Sequence, residues 1–211
     1  MAKLYNEIAG RDIDRLAGLS DGIFAFAMTL LALDLRPPDF LQNLQSEHAL
    51  LAEISHKLLP RLIPYLMSFM TLGIFWVGQQ TQLSALARTD RNLTWLHMGV
   101  LLSITLIPVS TWLLVSYPAF RVALLAYWVN FVLYGVMMYL AWMYIVRARL
   151  LSPDAPSALI AAMRRRIIVA QTLYFVAAVL CVISTYWSIA FLILVQLNYV
   201  LAPRFGWLYR I

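Results

Sequence analysis

Cysteine occurs once in the 211 residues, at Cys181, so the chain can close no internal disulfide and build no multi-thiol metal site. Charge is scarce too: Asp, Glu, Lys and Arg together make up 12% of the sequence, against roughly 25% in a soluble domain. There is no H-E-x-x-H pair, no phosphate-cradling glycine loop and no nucleophile–His–acid set, so no enzymatic activity, cofactor or metal is expected. The carbonyl filter motif T-V-G-Y-G is missing as well, which excludes that kind of potassium filter. No Lys/Arg run is longer than Arg164-Arg165-Arg166. The net charge of +6 is therefore read as charges flanking membrane spans, with no nucleic-acid partner.

What is present is apolar surface: 63% of residues are hydrophobic and the mean hydropathy is +0.77. A water-soluble fold has no means of covering so much, and the excess must face a lipid bilayer. A span needs about 20 residues to cross roughly 30 Å of hydrocarbon. The sequence divides into six such segments, near 16–35, 62–86, 93–116, 119–146, 167–185 and 189–202. The expectation is an all-α, multi-pass membrane protein in which residues 1–211 form a single domain of six transmembrane helices. Arg36-Pro37-Pro38 closes the first span, because consecutive prolines cannot continue a helix. Residues 39–57, with Leu41, Leu44, Leu50, Leu51 and Ile54 at helical spacing, read as a short interfacial helix, and 151–156 as a polar break. No cleaved leader is expected, since Glu7, Asp12 and Asp14 precede a first apolar stretch of full spanning length.

Lys and Arg set the orientation. With the N-terminus in the cytoplasm, the inner segments hold twelve of these residues and the outer segments only Arg36, Lys57, Arg61 and Arg121. Both termini are accordingly expected on the cytoplasmic side.

The first span carries the most costly residue. A carboxylate in mid-membrane costs about 2.5–3.5 kcal/mol on insertion scales, so Asp21 needs a partner or water unless Ser20 and Asp21 cap a helix that starts late. Asp34, nearer the outer end, reads as a solvated interfacial acid. Arg15 lies six residues from Asp21, about 600° of helical rotation, and faces elsewhere. Trp76, Gln79 and Gln80 share one face of the second span at the same depth, so they are either partners of Asp21 across two helices or polar groups meeting headgroup water. Gly18, Gly22, Ala25, Thr29 and Ala32 form a small-residue stripe suited to close helix contact. About a quarter turn away, Leu19, Phe26, Leu30 and Leu33 form a bulky stripe, either lipid- or core-facing or a hydrophobic constriction of the kind that gates by dewetting. His48 and His56 are too far apart for a metal pair, and His97 reads as a lone histidine near an inner interface. Ser103, Thr105, Pro108, Ser110 and Thr111 mark a kinked third span, while Asn130, Gln171, Gln196 and Asn198 read as inter-helix glue.

The run from Arg15 through Leu19-Ser20-Asp21 to Thr29-Leu30-Leu31-x-x-Asp34 resembles the first helix of the transmembrane protein 175 family of cation channels, whose hallmark is R-x-x-x-F-S-D followed by T-L-L-x-x-[DE]. The resemblance implies a bacterial, single-repeat homotetramer in the plasma membrane. It would conduct K+, and other monovalent cations, through a central pore lined by the first helix of each subunit. By position in the motif the apolar constriction falls on Phe26, Leu30 and Leu33, and the element organising packing and gating on Arg15, Ser20 and Asp21. This chain has Leu19 in place of the motif's phenylalanine, and Gln79 and Gln80 where histidines are usual. The competing reading of the same residues is a proton-coupled transporter or proton pathway through Asp21; an accessory membrane protein is a further one.

Overall fold

The computed structural model describes residues 12–33, 35 and 46–201, and what it describes is helical apart from short connections. The first helix, α1 (Ile13–Leu33), is capped by Asp12, whose carboxylate accepts from the Arg15 N–H at 3.1 Å. Its 21 residues give about 31 Å, the thickness of a bilayer's hydrocarbon. The closing Pro37-Pro38, Asp34, Leu41 and Leu44 lie outside the described residues.

The expected interfacial helix is not separate from the second span. α2 (Glu47–Glu53) runs through one π turn (Ile54–Leu58) directly into α3 (Leu59–Ser84). Pro60 and Pro64 have no N–H to donate back along the helix, and the wide turn lies just where that ladder is broken. The third span is kinked as the prolyl residue requires: α4 (Arg91–Thr105) and α5 (Ile107–Ser116) meet at Leu106, two residues before Pro108. Hydroxyls take up the carbonyls there, Ser103 donating to Val100 O at 2.6 Å, Thr105 to Leu102 O and Thr111 to Ile107 O.

α6 (Arg121–Arg147), α7 (Ser157–Ile183) and α8 (Thr185–Leu201) complete the bundle. The fifth span starts at Ser157, well before the expected residue 167, so Arg164, Arg165 and Arg166 stand on the helix and not in the connection. Pro156, immediately ahead of it, has the φ that a helix start accepts. Among the described residues, five apolar helical stretches are long enough to cross a membrane, and α8, at 17 residues, is a shorter apolar helix.

α6 packs on α4, α5 and α7; α8 packs on α7 and α3; α1 packs on α3, α4 and α5. The centre is aromatic: Phe75 of α3 stacks on Tyr134 of α6 with centroids 3.7 Å apart, and Phe131 meets both Phe75 and Tyr174. Cys181 is buried in the same core, as a packing residue. At one end the connections after α3 and α6 are clipped together, Ala87 N–H to Leu150 O and Ser152 N–H to Ala85 O, both at 2.9 Å. That end fixes where α3 stops and α4 starts, and so the height of the site below.

Candidate functional site

α1 uses only part of its circumference inside the protomer. Leu16, Ser20, Phe24, Ala27 and Leu31 are buried against α3, α4 and α5, at the 3–4 spacing of one helical face. The opposite face is bare: Leu19, Phe26 and Leu33 are 46%, 65% and 47% exposed, and Gly18, Gly22, Ala25, Thr29 and Ala32 are exposed beside them. Leu30 lies on the flank and is half-buried. A methyl group added at Gly18 or Gly22 would meet nothing within 4 Å. At its two glycines the small-residue stripe therefore has no neighbour among the described residues.

Two polar contacts, one residue apart on α1, bind it to its neighbours. Ser20 faces inward: its hydroxyl donates to Leu16 O at 2.8 Å and accepts from Gln79 Nε2 at 2.9 Å, with His97 Nε2 at 3.1 Å. Gln79 and His97 also touch each other, so α1, α3 and α4 meet at one buried point. All three side chains are 1% exposed or less. The Gln79 amide oxygen has no partner among the described residues. An amide turned end for end would offer that oxygen to the imidazole N–H, so amide orientation and histidine tautomer are set together.

Asp21, next along, faces outward. Its Oδ1 accepts from Trp76 Nε1 at 2.7 Å and from Gln80 Nε2 at 2.6 Å, two charge-assisted bonds on a single oxygen. No described residue donates to Oδ2. The helix already begins at Ile13, so Ser20 and Asp21 do not cap its start. Nor does Gln79 meet headgroup water, since it is fully buried. Arg15 is exposed two turns below and makes no ion pair with Asp21; its backbone N–H serves the Asp12 cap.

The sequence reading missed His97. It is not alone near an interface but buried 1% exposed at the junction of three helices. The signal was available, since a histidine in an apolar span has to find a hydrogen-bond partner. A second buried cluster lies deeper in the protomer, away from the bare face of α1. There Ser68 Oγ lies 2.9 Å from Tyr127 Oη and 2.7 Å from Thr111 Oγ1, and Gln196 donates to Thr71 at 2.7 Å. Asn130 and Gln171 act similarly, donating to Ser110 Oγ and to Phe131 O.

The segment that carries this arrangement is also the one that fits a known family profile. Residues 15–108 fit the sequence profile of a family described as the endosomal/lysosomal potassium channel TMEM175. A potassium channel of Streptomyces collinus is 34% identical over 151 residues, covering 68% of this chain and 71% of that protein. A potassium channel of Chamaesiphon minutus is 31% identical over 179 residues, covering 83% and 87%. In three dimensions the chain resembles the crystal structure of a lysosomal potassium-selective channel TMEM175 homolog from Chamaesiphon minutus, with TM-score 0.76 and 26% identity over 90% of this chain and 96% of that one.

Proposed function

This chain belongs to the TMEM175 family of channels, which are not enzymes, and on that ground we propose that it is a subunit of a potassium channel. Four copies surround a central pore lined by α1, with Phe26, Leu30 and Leu33 as its hydrophobic constriction. The six helical segments span the membrane with both termini in the cytoplasm, in keeping with the distribution of Lys and Arg.

The observation that carries this reading is the bare face of α1. Among the described residues it holds an acid bonded through one oxygen only, beside an exposed stripe of small residues whose two glycines have no neighbour. Lipid is a poor occupant of such a face: it would have to solvate a carboxylate and fill a furrow of glycines. Another copy of α1, with water beside it, suits both. Buried tethers from Ser20 to Gln79 and His97 hold the helix by its other side, so the bulky stripe can be presented to a pore axis at a fixed height. Leu30 and Leu33 offer branched apolar surface for a dewetted gate. Phe26 is bulkier and would narrow the path further.

The test is cation flux from liposomes containing purified protein, comparing the wild type with Leu30→Ala and Leu33→Ala. The channel reading expects K+ flux in the wild type, with a higher rate or altered K+/Na+ ratio in the variants. Flux that requires a proton gradient and disappears in Asp21→Asn, with the leucine variants unchanged, would instead favour the proton-coupled reading.

A further inference from the structure

Arg164, Arg165 and Arg166 are successive on α7 and so point about 100° apart. Arg164 and Arg165 are exposed, as charges at the end of a span should be. Arg166 is not. It is half-buried and lines a cavity of about 60 Å3 between α3, α6, α7 and α8, together with Gly78, Tyr134, Gln171, Tyr174 and Tyr199. A single water needs only about 10–15 Å3 by a comparable measure, so the space admits a group of several heavy atoms.

The chemistry of the walls is one-sided. Among the described residues no carboxylate pairs with Arg166, although it lies within electrostatic reach of the three tyrosines. Tyr134 has spent its proton on Phe75 O at 2.7 Å, and the Gln171 amide donates to Phe131 O at 3.1 Å. Tyr199 has not: its hydroxyl is shielded and has no partner among the described residues. The walls are largely apolar, and among the described residues they hold the Arg166 guanidinium, the shielded Tyr199 phenol and no acid to neutralise the cation. A partly desolvated guanidinium of this kind is stable only opposite an anion. Its planar fork and the phenol suit the oxygens of a phosphate.

A second feature gives that phosphate a source. An open apolar groove of about 480 Å3 runs along the outer side of α6 and α7, past Val136, Leu140, Ile168 and Phe175, and shares Gly135, Ile167 and Gln171 with the cavity. Arg166 lies in the half of α7 nearer the end of the bundle where the α3–α4 and α6–α7 connections are clipped together, and we take that end to face one leaflet's headgroups. We propose that Arg166 and Tyr199 bind the phosphate of an anionic phospholipid from that leaflet, with an acyl chain along the α6–α7 groove. The proposal rests on the chain being embedded in a bilayer and is independent of its conducting ions.

The test uses delipidated full-length protein incubated with phosphatidylglycerol, with phosphatidylcholine, or with inorganic phosphate alone, scoring retained lipid by native mass spectrometry and protection by thermal melting. Phosphatidylglycerol should be retained over phosphatidylcholine. Arg166→Gln should weaken its binding about tenfold, the loss of one charge-assisted bond, and Arg165→Gln by less than about twofold, as expected of an exposed charge. Tyr199→Phe keeps the ring, removes only the unpaired hydroxyl and should cost about threefold; it decides the matter if Arg166→Gln does not assemble. Equal binding by Arg166→Gln, equal losses in Arg165→Gln and Arg166→Gln, or full protection by inorganic phosphate alone would each overturn the proposal.

Discussion

Ser20 and Asp21 are neighbours with opposite tasks, and the difference follows from 100° of helix rotation. Ser20 sits where α1, α3 and α4 converge and is enclosed, while Asp21 is turned toward the outside of the protomer. Substituting His97 by Ala should remove the imidazole on which Ser20 and Gln79 converge and leave polar groups buried without it. The expected cost is about 1–3 kcal/mol, seen as a lower melting temperature of the purified protein. In the Ser20→Ala background the same substitution should cost clearly less, because the pair shares one site; simple additivity would contradict the shared junction. For Asp21, Asn retains one acceptor for Trp76 and Gln80 but removes the charge. Asp21→Asn is therefore expected to keep the protomer fold by circular dichroism while altering assembly on size-exclusion chromatography, and Asp21→Ala to do so more strongly.

Among the elements, two helical glycines separate contacts within a protomer from contacts outside it. A methyl group at Gly135 of α6 would collide with the Gln171 side chain, so Gln171 would have to give up its bond to Phe131 O. Gly135→Ala should accordingly lower the melting temperature in the wild-type background. In the Gln171→Ala background it should raise it, through the helix propensity of alanine, worth about 1 kcal/mol. At Gly22 nothing lies within reach. Gly22→Leu should leave protomer helicity unchanged and break the oligomer, read as a smaller mass in native mass spectrometry; an intact oligomer would mean that the small-residue stripe faces lipid.

These two positions also show how far the sequence could be read. The stripe through Gly18, Gly22 and Thr29, and the bulky stripe through Phe26 and Leu33, are periodic and visible without coordinates, because a helix fixes which residues share a face. The reach of Trp76 and Gln80 to Asp21 was open to reasoning from depth alone, since α1 and α3 run antiparallel and polar residues in apolar spans seek one another. Three features were not legible. That His97 needs a partner can be read from its place in an apolar span, but that Ser20 supplies it through the pairing of α1 with α4 is encoded by no local pattern. The ten extra residues at the start of α7 are cut off from the apolar run by Arg164, Arg165 and Arg166, so the triple arginine read as the edge of the span, although Pro156 marks the start of the helix. The π turn that fuses α2 to α3 follows from backbone donors missing at Pro60 and Pro64, which hydropathy does not register either.

For the whole molecule, the protomer is a multi-pass bundle whose aromatic core joins α3, α6 and α7, with α1 at its edge. On the proposed reading, α1 at the edge lines a pore only in an oligomer, where four such edges would make a centre. The Cys181→Ser protein offers a background free of thiols, in which single cysteines report exposure to water. The central claim, that the bare face of α1 lines an ion pathway, is tested most directly by placing Cys at Leu33, at Leu31 and at Leu194 in that background. K+ current is then recorded across a planar bilayer while a membrane-impermeant, positively charged thiol reagent is applied. Leu33 is on the bare face, Leu31 is fully buried in the protomer, and Leu194 is 65% exposed on α8 away from α1. Rapid loss of current with Leu33→Cys alone is the predicted result. Loss of current with Leu194→Cys, and none with Leu33→Cys, would contradict the account.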